Sequence, residues 1–404
     1  MAEGSSSDMG GFLPGFLGDL LRMMHTDAPL QWDLAVQLAL AVASDGQPEP
    51  NVDPIQRMRF EEITRIAELQ VGDISGMPTT PGGGSVSVVT AGPAEWARRS
   101  LESWRPLISE YAAAIRLPVT ESPADEEPDD EAGTGLAAVM EKWAAAMAPA
   151  MIALQVGSII GHLARRTLGQ YELPLPRVPS DEIVVVPSNV AAFASDWSLE
   201  FDDVTMWCAA HDLAAHTVLS RPHVRARLQS LLVAHASSFR PDLGALEQRL
   251  GEAALGDPGE LGDLGRLLGD PAALAEPADT PELRRVRAEL AALTSAFAGY
   301  VEWVTDAVAA RAIGARRPVR EALRRRRVER SDDERAAEML FGLRLDQDAL
   351  DRGEAFVRGV IERGGDVELA KLWTVEENLP TPAEVDAPGL WIARVNLPGE
   401  AGAG

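Results

Sequence analysis

Met206-Trp-Cys-Ala-Ala-His-Asp-Leu-Ala-Ala-His216 is apolar apart from two histidines and the aspartate beside the first. Its alanines and leucine favour a helix, and its scarcity of charge places that helix inside a core. A helix that hydrolyses with zinc reads H-E-x-x-H. Two imidazoles one turn apart bind the metal, and the Glu between them activates water. Here His211 and His216 are five residues apart. At about 100° per residue, an i,i+5 pair diverges by about 140° around the axis, against about 40° for i,i+4. The two imidazoles cannot share one ion on a regular helix.

Two registers remain, and each lacks a part. With His211 as first ligand, Asp212 stands where the Glu belongs and Ala215 where the second His belongs. With His216 as second ligand, Asp212 becomes the first and Leu213 replaces the Glu. A carboxylate and an imidazole one turn apart can bind zinc, so Asp212 and His216 are the candidate metal ligands. The general base would then have to come from elsewhere. Cys208, Asp212 and His216 form an i, i+4, i+8 stripe whose ends are about 12 Å apart, too far for a Cys–His nucleophile pair. The simplest expectation is an Asp212–His216 hydrogen bond inside a helical core. His25, His162, His223 and His235 show no ligand spacing.

Outward from this helix the chain reads as mainly α. Helices are expected around Phe12–Met24, Leu30–Ala43, Asp53–Leu69 and Pro93–Ile115, from apolar residues at helical spacing. Val86–Val89 and Glu182–Val186 are the strand candidates, β-branched and bounded by turn residues. Ser188 is placed to cap a short helix through Phe193. Proline at 222 splits 200–239 into two helices. Thr280-Pro-Glu282 caps and starts a long helix running to about Ala312, followed by an Arg-rich helix, Arg316–Arg330. That cluster is expected to pair with the chain's own carboxylates, such as those of 331–334, or with an acidic partner.

The organisation that follows is a disordered segment at 1–11 and a single helical domain over 12–394. An acidic flexible insertion interrupts it at 118–134, and a disordered tail occupies 395–404. Three Gly-Asp turns between Leu255 and Pro271 are too irregular for a calcium repeat.

The 404 residues carry 46% hydrophobic but only 5% aromatic side chains, so the core is mostly Ala, Leu and Val. A net charge of −25 repels phosphate backbones and excludes nucleic acid as the main partner. Cys208 is the sole cysteine and the N-terminus lacks a basic signal region, which fits a reducing cytoplasm. Trp143–Ala164 is apolar with Gly157-x-x-x-Gly161, but Pro149, Gln155, Ser158 and His162 interrupt it. It reads as a buried helix crossing others closely at its glycines, not as a membrane span.

Several segments, in order, resemble the bacterial zincin-like metallopeptidase type 2 family, found mostly in actinobacteria and labelled as zinc-dependent metalloproteases or hydrolases. They are the opening Gly-Phe-Leu-Gly-Asp-Leu-Leu21, Gln31-Trp-Asp-Leu-Ala35, Val186-Pro-Ser-Asn-Val-Ala-Ala-Phe193 and the run Arg324–Arg327. The resemblance covers about 12–390 and implies a multi-helix zincin-like scaffold with a few short strands. It also implies a second site segment, resembling E-G-H-x-D-x-V-M-D, that aligns here as Ala298-Gly-Tyr-Val-Glu-Trp-Val-Thr-Asp306. Gly299 and Asp306 match, Glu302 is an acidic replacement, and the leading Glu and the His have become Ala298 and Tyr300. The positions equivalent to the family's site are thus His211, Asp212, His216, Tyr300, Glu302 and Asp306. The chain is similar to a branch whose first helix is altered in the same way.

The family implies a zinc hydrolase, whereas these residues imply a scaffold without the zinc chemistry, a pseudoenzyme. Its role would be binding or regulation through the groove between 204–219 and 296–308, with a protein or peptide partner and no cofactor. The rival is an active metal-dependent peptidase with Asp212 and His216 as zinc ligands and Glu302 or Asp306 as third ligand or base. The sequence carries no determinant of substrate or oligomeric state.

Overall fold

A computed structural model describes residues 30–49, 51–114, 150, 152–237, 280–313, 318–328 and 332–397. The expected helix at Phe12–Met24, the N-terminal segment at 1–11, the insertion at 118–134 and the Gly-Asp turns of 255–271 lie outside them. The fold is mainly α. In chain order the helices before the first strand are α1 (Trp32–Ser44) and α2 (Pro54–Ser75). After β1 come α3 (Pro93–Ala114) and the helical residues 152–164, here α4. After β2 come α5 (Pro187–Asp196), α6 (Phe201–Leu219) and α7 (Pro222–Ser237). Then follow α8 (Pro281–Ala312), α9 (Pro318–Val328), α10 (Asp332–Phe341) and α11 (Gln347–Leu369). Two short helices, α12 (Pro382–Asp386) and α13 (Pro388–Val395), end the described chain.

The helix of the opening stretch, α6, lies at the centre. Nearly every residue from Val204 to Leu219 is buried, as the absence of a polar face demands. It packs between α2 and α8, and α8 in turn lies along α11. The expected break between α6 and α7 falls just before Pro222, which opens the second helix. Thr280 caps α8 by accepting from the Leu283 N–H at 3.1 Å, with Pro281 at the first helical position. At the other helix the expected cap is displaced. Pro187 starts α5 with Val186 as the N-cap residue and no side-chain cap bond, so Ser188 falls inside the helix. Proline's fixed φ already suits the first helical position and moves the start one residue earlier.

Both strand candidates form. Ser87–Thr90 (β1) and Glu182–Val185 (β2) pair in parallel, in register from Ser87 opposite Glu182 to Thr90 opposite Val185. The close crossing expected at the glycines of α4 is made with α1. A Cβ at Gly157 would stand 2.5 Å from the Ala35 carbonyl oxygen, and one at Gly161 would stand 2.6 Å from Val42 Cβ. Among the described residues, no helix is long and apolar enough to cross a membrane.

Candidate functional site

Helix α6 delivers Asp212 and His216, 3% and 2% exposed, against the loop that leaves α4. The loop turns at Gly169, whose carbonyl accepts from Thr167 Oγ1 at 2.6 Å and from Trp96 Nε1 at 2.9 Å. The next two backbone amides point at Asp212. Gln170 N–H donates to Oδ2 at 2.6 Å and Tyr171 N–H to Oδ1 at 3.3 Å. A Cβ at position 169 would collide with that carboxylate, so the glycine is needed for the close approach. The Gln170 side chain continues the clamp into the sheet, accepting from Val184 N–H at 3.0 Å.

Tyr171 also bridges to the second candidate: its hydroxyl lies 2.8 Å from His216 Nδ1. The direct Asp212–His216 bond expected from their spacing is therefore replaced by Tyr171, whose N–H holds one residue and whose side chain holds the other. Burial pulls the His216 pKa down to about 4, so the imidazole is neutral, and burial pushes the Tyr171 phenol up to about 12. Arg177 closes the cluster. It stacks 4.2 Å over the Trp104 ring and donates to Ser100 Oγ at 3.1 Å and to the Gln170 carbonyl at 2.9 Å. Burial lowers its pKa to about 10. Cys208 is buried on the same helix, and burial first of all raises its thiol far above the reactive range.

His211 takes a different course. Its ring stacks on Trp207 at 5.0 Å, and its Nδ1 lies 3.6 Å from Asp212 Oδ1. Trp207, His211 and Asp212 line one wall of a cavity of about 130 Å³, and Ala298, Val301 and Glu302 of α8 line the facing wall. Arg326 and Arg327 of α9 reach the same space.

Glu302 is 4% exposed and meets Arg327 Nη2 through Oε1 at 2.7 Å. Its Oε2 accepts no hydrogen bond among the described residues and lies 3.9 Å from Arg320 Nε. Burial opposes the charged form of Glu302. The charge of Arg327, then that of His211, outweighs it and holds the carboxyl below its usual range. Asp306, one turn on, pairs with Arg320 Nη1 at 2.7 Å, and Arg320 Nη2 also holds Glu354 at 2.6 Å. Tyr300 leaves the cavity altogether. Its ring packs against Trp303 and Trp373, and burial raises its pKa.

Of the six family-equivalent positions, the cavity thus gathers His211, Asp212 and Glu302, while His216, Tyr300 and Asp306 do not line it. The expectation that the Arg run pairs internally is met through Glu302, Asp306 and Glu354. The clamp formed by Gly169, Gln170, Tyr171 and Arg177 was not foreseen. A single glycine before Gln-Tyr is a common loop sequence, and only the fold aims its amides at a carboxylate.

A hydrolytic zinc ion takes three protein ligands and one water. Both Asp212 oxygens already accept backbone N–H groups, His216 Nδ1 is taken by Tyr171, and Glu302 Oε1 by Arg327. His216 Nε2 is buried and without a hydrogen bond among the described residues. Among the described residues no three His, Cys, Asp or Glu side chains are grouped to hold a metal ion.

Fold and site together define a mainly helical protein built around a buried histidine- and aspartate-bearing helix of zincin type. The chain belongs to the zincin-like metallopeptidase family, whose sequence profile matches residues 30–392. A crystal structure of a candidate hydrolase with a novel fold, from Chloroflexus aurantiacus, is similar to it. That likeness has a TM-score of 0.59 and 22% identity over 92% of this chain and 100% of the other, and it establishes the fold. A search among curated proteins finds no match.

Proposed function

We propose that this member keeps the family's scaffold without its zinc chemistry and acts as a binding or regulatory protein. One observation carries the reading. Asp212, the residue at the place of the water-activating Glu, has each oxygen engaged by a backbone amide, with a glycine cleared to let them in. Hydrogen bonds from buried amides favour the charged carboxylate, so Asp212 is a weaker base than a free one and is committed to holding the loop. The binding surface in this reading is the groove between 204–219 and 296–308. Its cavity offers Trp207 and Val301 as apolar walls and the Glu302–Arg327 pair as a polar end. A peptide or protein segment that inserts one side chain fits a space of that size. The setting is cytoplasmic, and 12–394 acts as one domain.

Metal analysis of protein purified without a polyhistidine tag, paired with a peptide-cleavage assay, tests this. The expected result is zinc well below one equivalent and no chelator-sensitive cleavage. One equivalent of zinc with cleavage that vanishes in both Asp212→Ala and His216→Ala would establish the active hydrolase instead.

A further inference from the structure

Helix α2 has two apolar faces. Phe60, Ile63, Ala67 and Val71 face the core, while Ile55, Met58, Ile66 and Leu69 are 74%, 69%, 44% and 74% exposed. At about 100° per residue these four and Glu62 fall within roughly 80° of arc, a stripe about 21 Å long. Their order Ile55, Met58, Glu62, Ile66, Leu69 has spacings of 3, 4, 4 and 3. It reads the same in either direction from Glu62. Such symmetry is what a helix needs in order to pair with an antiparallel copy of itself.

We propose that this stripe joins two copies of the chain, as an antiparallel helix pair whose two-fold axis passes through Glu62. In that pairing Ile55 of one copy meets Leu69 of the other, and Met58 meets Ile66, each twice, as an isologous interface requires. The charges obey the same symmetry. Arg59 and Arg65 stand three residues either side of Glu62, so the two axial carboxylates lie among four guanidinium groups. Arg59 already holds Glu62 and Asp202 in its own chain, whereas exposed Arg65 enters no ion pair among the described residues. The four side chains expose roughly 500 Å² per copy, at the upper end for a contiguous apolar patch on a monomer. Two copies with their charged rims bury about 1,200 Å², the lower end for a specific interface. The dimer is accordingly a reversible one.

Sedimentation equilibrium of the full chain should show monomer and dimer exchanging with concentration. Met58→Lys and Ile66→Lys, both on the exposed face and checked for unchanged unfolding temperature, should each weaken the dimer at least about tenfold by burying a cation beside the partner's guanidinium groups. Glu62→Cys should form an intermolecular disulfide under mild oxidation, since a residue on the axis lies within about 7 Å of its own copy. Cys208 is buried and does not compete. A chain that stays monomeric overturns the proposal, whether the stripe is left bare or is covered by the chain's own apolar residues 12–24. So does a dimer that survives both Lys substitutions, or a Glu62→Cys chain that cross-links no faster than an exposed control, Glu282→Cys.

Discussion

Asp212 and His216 were both candidate ligands by spacing, and each is tied to the loop at 169–171. Replacing Asp212 by Ala strands two buried N–H donors, at a cost of about 1–3 kcal/mol each when nothing replaces the acceptor. We expect Asp212→Ala to lose on the order of 3 kcal/mol in urea unfolding, and Asp212→Asn, which keeps one acceptor, roughly half. An Asp212 that served mainly an ion would instead change metal content and leave the metal-free protein equally stable. Histidine adds a pH dependence. Burial lowers both His216 and His235 to about 4 from an ordinary 6.5. Between those values the unfolded chain binds more protons than the folded one. Stability is therefore complete above about pH 6.5 and falls as pH drops towards 4, by roughly 3 kcal/mol for each histidine. His216→Asn should flatten the stability–pH curve by about one proton over that window, and an unchanged slope would show that His216 titrates normally. Spacing alone had shown that His211 and His216 cannot share an ion. It could not show Tyr171 between Asp212 and His216, because a contact across 41 or 45 residues leaves no local pattern.

Helix α8 owes its position to a glycine crossing. A Cβ at Gly353 of α11 would run into the Ser295 carbonyl oxygen, and one at Gly299 into the Gly353 backbone. Gly299 is also the glycine of the second family-like segment, so its place there has a packing reason independent of chemistry. Gly353→Ala gains up to about 1 kcal/mol of helix propensity. The overlap is with backbone, which cannot rotate away, and overpacking of that kind costs about 1–3 kcal/mol or more. We expect the clash to win and the thermal midpoint to fall. A midpoint that rises would mean the helices separate freely. At this scale the sequence was most legible. Pro54, Pro93, Pro187, Pro222 and Pro281 each open a helix, and the β-branched runs became the two strands. Which helices touch was not legible: Gly157 and Gly161 announced a close crossing, and only the fold shows that α1 makes it.

Across the whole molecule the net charge is −25, yet the arginines of α9 are gathered where α8 and α11 present Glu302, Asp306 and Glu354. Three helices from one stretch of the chain are thereby pinned to one another by ion pairs, with the Glu302–Arg327 pair at the cavity. Glu302 and Asp306 both lie in the second family-like segment, and here they face guanidinium groups. If this network has replaced metal chemistry, its parts must depend on one another. Arg327→Met leaves Glu302 buried without its closest cation and should cost roughly 3–5 kcal/mol. Glu302→Leu strands only Arg327, whose side chain is 27% exposed and can turn to water, so the loss should be smaller. The double variant removes both charges and should recover most of the stability, giving a coupling of about 2–3 kcal/mol in a double-mutant cycle by chemical denaturation. Additive losses would mean that Arg327 does not hold Glu302. That carboxylate would then be free to serve an ion or a water molecule, and the binding-protein reading would lose its second support.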